Sequence, residues 1–321
     1  MESLRFEANA GDYPACRPSF GEAILDDTLA GLRAGCVPEA MQKLFTGLLQ
    51  FRRDAGDEAW SHFAKHDFPA HPVRPLLHES PFGRRSFEKP RGYAGDAVLL
   101  DYIYDPSSMP CDTDLGHEIS AFETQTTACR SVRSRKDILA RTIDETAAEF
   151  ARPRIASIAC GHLREAAQAA AVRAGRIGEY LAIDQDRESL AVVEREYGLL
   201  GVTPVHDTVR SLLGGKSPFS GFHLVYAAGL YDYLPAPVAA RLTAVLFQML
   251  APGGRLLVAN FHPRLPAIGH METAMGWWLI YRTESEMQLL SAEIEKREID
   301  SHRIFRDPDQ NVVFLEIRRV P

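Results

Sequence analysis

Cysteine is scarce: five in 321 residues, at positions 16, 36, 111, 129 and 160, odd in number and never spaced Cys-x-x-Cys. That scatter argues against a disulfide framework or a structural zinc site and suits a reducing compartment, so a cytoplasmic protein is expected. Positive charge is also short, with 36 Lys and Arg against 43 Asp and Glu and a formal net charge of −7. The cationic footprint of a non-specific nucleic-acid binder is missing, and no nucleic-acid partner is expected. Short basic runs such as RSVRSRK at 130–136 read as a solvated face. No apolar stretch approaches the ~20 residues a spanning helix needs. The opening MESLRFEANAGDYPACRPS has no apolar core of a signal segment, so no membrane partner is expected either. Also absent are the dinucleotide fingerprint GxGxxG, the P-loop GxxxxGK[ST] and the hydrolase elbow GxSxG. No His/Asp/Glu group has metal-ligand spacing, so no metal is expected, and there is no internal repeat or low-complexity segment.

What is there suffices for a sizeable core: 45% hydrophobic and 25% charged residues, enough for one large domain or two ordinary ones. From Arg154 onward, strand-like runs (RIASIA, EYLAID, VTPVHD, GFHLVYAAG, RLLVANF) alternate with helical patterns such as LREAAQAAAVRAG, RESLAVVEREYGLL and PAPVAARLTAVLFQML. Such alternation calls for a parallel sheet covered on both faces. Pro252-Gly253-Gly254 reads as a turn into the fifth strand. After the helix-like TESEMQLLSAE, KREIDSHRIF and NVVFLEIRRV flank Asp307-Pro308-Asp309-Gln310 as a closing hairpin. Before residue 150 the apolar spacing is three and four, which predicts amphipathic helices over ILDDTLAGLRAG, EAMQKLFTGLLQFRRDA and DILARTIDETAAEFA. Residues 66–117, rich in Pro, Gly and His, read as loops packed on something else. The division falls near Arg152-Pro153, giving a helical part at 1–150 and an α/β part at 151–321.

Ligands of an open parallel sheet sit beyond the carboxyl ends of its strands. Ala159-Cys160-Gly161 ends the first strand, and its single glycine suits a nucleoside without phosphates better than a pyrophosphate. Asp184 ends the second strand, where a carboxylate can accept from both hydroxyls of a ribose, and Asp207 ends the third, within reach of an adenine amino group. Each aspartate alone reads more readily as a helix N-cap or turn residue. In order, at successive strand ends, they favour a nucleoside site.

This sequence of parts resembles the class I S-adenosylmethionine-dependent methyltransferases over roughly 154–318, with LAPGGRLLVANF as the turn into the fifth strand. Over nearly the whole chain, HPVRPLLHESPFGRRSFEKPRGYAGDAVLLDYIY, ACGHLREA, YAAGLYDYLP and WWLIYRTESE resemble a bacterial family tied to biosynthesis of the extracellular factor 3-hydroxypalmitic acid methyl ester. The resemblance implies an α/β fold, a Rossmann-like, mostly parallel sheet with a C-terminal antiparallel hairpin, beneath an N-terminal helical cap. It implies S-adenosylmethionine as cofactor: Ala159, Cys160 and Gly161 against its methionine part, Asp184 and Gln185 on ribose and adenine, and Glu165 orienting the α-amino group. Asp207, Ala227, Tyr233 and Arg91 complete the expected cofactor contacts.

A sulfonium is a cation, and aromatic faces attract it by ~0.5–2 kcal/mol each when desolvated. Tyr226, Tyr231 and Tyr233 cluster at and after the fourth strand; each also reads as ordinary packing. The loop RGYAGD (91–96) is expected to bring Tyr93 and Asp96 over the site from the cap, unless Arg91 and Asp96 simply pair. Tyr93, Asp96, Tyr226, Tyr231 and Asn260 are the expected catalytic residues. Asn260 and Arg282 are candidates to position the acceptor, and His262 is either a base or a structural histidine. Methyl transfer to a small-molecule carboxylate, amine or hydroxyl in bacterial secondary metabolism or signalling is the leading expectation. Alternatively, the α-amino nitrogen of S-adenosylmethionine attacks its own γ-carbon, giving azetidine-2-carboxylic acid and methylthioadenosine. A cofactor-binding sensor is the non-enzymatic option. Lack of an NPPY tetrapeptide where YAAGLYDY stands speaks against nucleic-acid methylation, and the oligomeric state stays open.

Overall fold

The apolar run after Arg152-Pro153 becomes a central strand because both its faces are covered: Ile155 to Ile158 are all buried. The structure, a computed structural model, describes residues 20–214 and 219–321; the opening segment, with Cys16, lies outside the described residues. The strands are β1 (Arg154–Ile158), β2 (Glu179–Asp184), β3 (Val202–His206), β4 (Phe222–Ala227), β5 (Leu250–Phe261), β6 (Ile299–Arg306) and β7 (Val312–Arg319). They form one sheet in the order β3-β2-β1-β4-β5-β7-β6. The first five run parallel, and β7 pairs antiparallel with β5 and β6. The expected Rossmann-like architecture is therefore the one observed. Because the chain leaves β1 toward β2 on one side and returns through β4 on the other, the switch point lies between β1 and β4.

Strand alternation sends side chains to two cores. On one face, Ile155, Tyr180, Tyr226, Leu257 and Phe314 pack with Val132, Leu139 and Ile143 of the helix Thr127–Glu149 and with Leu99 and Ile103 of the helix Ala97–Tyr104. On the other, Ile158, Ile183, Val225 and Val258 pack with Leu242 and Leu246 of the helix Ala236–Gln248. The helices Phe20–Arg33 and Val37–Asp54 share a third core with Trp60, Phe63 and Phe68.

Three local expectations are corrected. Residues 66–117 are not mainly loops: they fold as short helices, among them Val73–Leu77, Pro81–Glu88, Ala97–Tyr104 and Asp114–Thr124. Each is too short for a periodic apolar stripe, and caps start them instead: Ser80 accepts from Gly83 N ahead of Pro81, and Thr113 from Gly116 N. The Ala-rich LREAAQAAAVRAG divides into Arg164–Gln168 and Ala170–Arg173, broken where Ala169 turns extended (φ −65°, ψ 119°). Pro252-Gly253-Gly254 lies inside β5 as an irregularity, with Gly253 at φ +74° and a register shift against β4 between Phe222 and Leu224.

Candidate active site

At the carboxyl ends of β1, β2 and β4 a cavity of about 490 Å³ opens under the helical layer, a size typical of small-molecule sites. Its floor is the turn after β1, where Ala159, Gly161 and Leu163 all take left-handed φ of 53°, 54° and 52°. For Ala and Leu that conformation costs roughly 1–2 kcal/mol each, strain of the kind retained at functional loops. The Gly161 N–H donates to Asp184 Oδ2 at 2.8 Å, and the Asp186 N–H to Asp184 Oδ1 at 2.8 Å. The amide that a phosphate would need is already taken, and a carboxylate stands beside it, so the turn repels a pyrophosphate. Each Asp184 oxygen keeps acceptor capacity for a hydroxyl. Burial raises its carboxyl above the usual range, while the two backbone donors pull it back.

Two buried carboxylates line the cavity beyond Asp184. Glu165 Oε1 accepts from Tyr226 Oη at 2.6 Å, and the Tyr226 and Tyr180 hydroxyls are 2.5 Å apart. Since Tyr226 gives its proton to Glu165, Tyr180 donates to Tyr226. Burial pushes the Glu165 carboxyl and both phenols upward. Asp232 Oδ1 accepts from Phe261 N at 2.7 Å, and burial raises its carboxyl to about 6. The charge of Arg135, 5% exposed, acts on both carboxyls, and its Nη1 donates to Ala228 O at 2.6 Å. None of Glu165, Asp232 and Arg135 makes a direct ion pair with a described residue. The wall opposite is aromatic: Tyr93 meets Tyr233 edge-on at 6.3 Å, and Trp277 Nε1 donates to Tyr233 Oη at 2.9 Å. Burial, with Asp184 and Asp186 nearby, holds the Tyr93 phenol well above its ordinary value, so it stays a proton donor. A further cluster at the rim joins the two layers: Asp101 accepts from Arg164 through both oxygens at 2.7 Å and contacts His162 Nδ1 at 2.7 Å.

The cavity thus brings together Arg91, Tyr93, Ala159, Cys160, Gly161, Glu165, Asp184, Gln185, Asp207, Tyr226 and Tyr233. Arg91 reaches it already engaged, donating to Asp186 Oδ2 at 2.8 Å, Ser189 Oγ at 3.0 Å and Glu188 Oε2 at 3.0 Å rather than to Asp96. Six of the candidates lie elsewhere. Asp96 is fully buried, held by Arg85 at 2.7 and 2.9 Å while capping the helix Ala97–Tyr104 through Leu99 N. Tyr231 points into the opposite core, 3.0 Å from Thr243 Oγ1. Ala227 faces that same core, and strand alternation puts Ala228 at the cavity instead. Asn260 is buried in a brace, donating to Ile280 O at 2.8 Å and accepting from Arg282 Nη1 at 2.6 Å; Arg282 also donates to Tyr231 O at 2.7 Å. Asn260 and Arg282 therefore fix the loop that carries Asp232 and do not line the cavity. His262 sits between Arg306 and Glu284, outside it.

Arg135, Asp232, Asp101 and His162 were not among the expected site residues. For Arg135 a signal existed. The basic run is not a solvated face but the start of the helix Thr127–Glu149, whose buried stripe runs Ser131, Val132, Arg135, Ile138, Leu139, Thr142, and a cation on such a stripe marks a polar cavity or a buried partner. Among the described residues no group of three or more His, Cys, Asp or Glu could hold a metal, and no helix is long and apolar enough to cross a membrane.

Neither a family model nor a curated protein sequence matches the chain. Among solved structures, a possible exported protein of Bordetella parapertussis is similar over 96% of this chain and 100% of its own, at 18% identity and a TM-score of 0.63. The N-methyltransferase NodS of Bradyrhizobium japonicum matches over 59% of this chain and 96% of its own, at 16% identity and 0.42. Magnesium protoporphyrin IX methyltransferase of Synechocystis, solved with bound S-adenosylhomocysteine, matches over 69% and 98%, at 10% identity and 0.47. The first of these likenesses shows a shared fold over 96% of the chain; the other two are too distant to add weight.

Proposed function

We propose that the cavity binds S-adenosylmethionine and that the protein transfers its methyl group to a small-molecule acceptor, as an enzyme of bacterial secondary metabolism or signalling acting in the cytoplasm. The observation that carries this reading is the Gly161–Asp184 contact: a nucleotide-type strand-end site that has closed its backbone donor against phosphate and kept a carboxylate for a ribose. The charges fit the rest of the molecule. Arg135 answers the methionine carboxylate, Glu165 the α-ammonium, and Tyr93, Tyr233 and Trp277 offer faces and edges around the sulfonium. When bound, S-adenosylmethionine supplies an activated methyl group. The protein's part is to exclude water under the helical layer and hold acceptor, methyl and sulfur in line.

Calorimetric titration with S-adenosylmethionine, followed by mass spectrometry of the products with and without candidate amines, hydroxyl compounds and carboxylates, tests the reading. Binding, with S-adenosylhomocysteine appearing only when an acceptor is present, is the expected result. Absence of binding would sink it. Methylthioadenosine formed from S-adenosylmethionine alone would replace methyl transfer by the intramolecular reaction.

A further inference from the structure

Asp232 is a buried carboxylate that the fold uses by half. Its Oδ1 fixes the Phe261 N–H at 2.7 Å, and its backbone carbonyl accepts from Ile280 N at 2.7 Å, which locks the residue between the ends of β4 and β5. Apart from the Phe261 N–H and its own backbone N–H, no described residue donates to its carboxylate, yet the residue is 3% exposed and lines the cavity beside Tyr233, Phe261 and Trp277. A desolvated carboxylate in this position is costly unless a charge partner completes it. The cations nearby do not: neither Arg135, whose Nη1 donates to Ala228 O, nor Arg282, which holds Asn260, Tyr231 O and Leu234 O, hydrogen-bonds Asp232, and both act on it only from a distance. Burial accordingly raises the carboxyl to about 6, which leaves it mostly ionised at neutral pH and in need of a cation.

Position decides which cation. Glu165, on the helix Arg164–Gln168 that follows β1, is tied to Tyr226 of β4 and through it to Tyr180 of β2, while Asp232 follows β4 next to Tyr233 of the aromatic wall and holds Ile280 N, beside Leu279 of the segment after β5. The α-ammonium of S-adenosylmethionine falls to Glu165. Asp232 then faces the acceptor side.

We infer that Asp232 is the acceptor-positioning carboxylate of this site and that the acceptor is an amine, received as an ammonium beside the methyl group. The inference rests on the S-adenosylmethionine reading above. The bound ammonium gives one proton to Asp232, and the freed nitrogen lone pair forms the N–C bond. The C–S bond breaks with its electron pair going to sulfur, and the product is a methylated ammonium with the proton on Asp232 returning to water. Asp232 thereby removes the proton that blocks the nitrogen lone pair, which is general-base assistance by a carboxylate already fixed in place. A carboxylate acceptor would instead meet a second buried anion.

The test needs no knowledge of the natural acceptor. Sinefungin carries an amine-bearing carbon where S-adenosylmethionine has its methyl-bearing sulfur, so its extra ammonium lies at the methyl position; S-adenosylhomocysteine has nothing there. Titration calorimetry of the full chain should find sinefungin bound at least about tenfold more tightly than S-adenosylhomocysteine, the size of one charge-assisted hydrogen bond. Asp232→Asn keeps the acceptor for Phe261 N–H and should erase that preference while leaving S-adenosylhomocysteine affinity within about threefold. No sinefungin preference in the unaltered protein, or a preference that survives in Asp232→Asn, overturns the inference while S-adenosylhomocysteine binding keeps the wider reading intact. Failure of both compounds to bind overturns the wider reading and this inference with it. If Asp232→Asn loses S-adenosylhomocysteine as well, Asp232→Glu, which restores the charge, must recover the sinefungin preference, and its failure to do so counts against the inference.

Discussion

Asp184 is the residue on which the nucleoside reading is most exposed to experiment. Its oxygens hold the Gly161 and Asp186 amides and would accept ribose hydroxyls through their remaining lone pairs, and a hydrogen bond to a charged group contributes about 1.5–3 kcal/mol. Asp184→Asn is therefore expected to weaken S-adenosylmethionine binding by about ten- to a hundredfold; a calorimetric change under threefold would remove Asp184 from the site. Asp232 makes a prediction on stability. Its folded-state carboxyl, raised by burial to about 6, lies above the unfolded value near 3.8, so the folded protein binds the proton more tightly. Stability is then greatest below pH 4 as far as this group is concerned, and falls as pH rises from about 4 to 6, by about 3 kcal/mol. Asp232→Asn should melt at the same temperature as the unaltered protein near pH 4 and several degrees higher at pH 7.5, without ligand; an equal difference at both pH values would mean the charge is not the cause. Both aspartates show how far residues could be read from sequence. Asp184 and Gly161 stand out because strand periodicity puts them at successive strand ends. In YAAGLYDYLP, by contrast, the tyrosines attract notice, while the 3-10 turn at Tyr231–Tyr233 sends Tyr231 into the core and leaves Asp232 and Tyr233 at the cavity.

The elements that carry the site were legible where they are long or alternate, and illegible where tertiary contacts make them. All seven strands and the long helices follow apolar period; the short helices of 68–124 follow caps and packing, which single-residue patterns do not reveal. The helix Thr127–Glu149 is the instructive case. Its start lies upstream of the expected DILARTIDETAAEFA, at the Thr126 cap, and that extra length is what carries Arg135 to the cavity. The loop at 91–96 makes an element-scale prediction through its glycines. A Cβ on Gly95 would lie 2.3 Å from Trp277 Cζ2 and 2.9 Å from Tyr233 Oη, both parts of the aromatic wall, whereas one on Gly92, at φ +87°, meets nothing within 4 Å. Gly95→Ala should cost about 1–3 kcal/mol by overpacking and shift tryptophan emission, because it displaces Trp277. Gly92→Ala should cost about 1–2 kcal/mol from backbone strain alone and leave the emission unchanged. Chemical denaturation with fluorescence separates them; identical spectra would show that the loop does not press on the wall.

At the scale of the whole molecule, sequence marks two halves at Arg152-Pro153 but not the core they share. Val132, Leu139 and Ile143 of the last helix before the division pack directly on Ile155, Tyr180, Tyr226 and Leu257 of the sheet. Polar contacts repeat the join at the cavity rim, from Arg91 to Asp186 and from Asp101 to His162 and Arg164. A sheet face stripped of that cover would expose a contiguous apolar surface far beyond what a soluble domain carries. We propose that the halves form one cooperative unit despite their different periodicity, since neither can bury its inner face alone. Thermal unfolding followed by far-ultraviolet circular dichroism and by tryptophan fluorescence should give one coincident transition. Two of the three tryptophans, Trp277 and Trp278, belong to the α/β part and Trp60 to the helical part, so uncoupled halves would separate the two signals. S-adenosylmethionine at a hundred times its dissociation constant should raise that single transition as a whole, by about 2.7 kcal/mol of added stability. If the helical part melted first and ligand moved only the later step, the cover would be an accessory to the site instead of part of its construction.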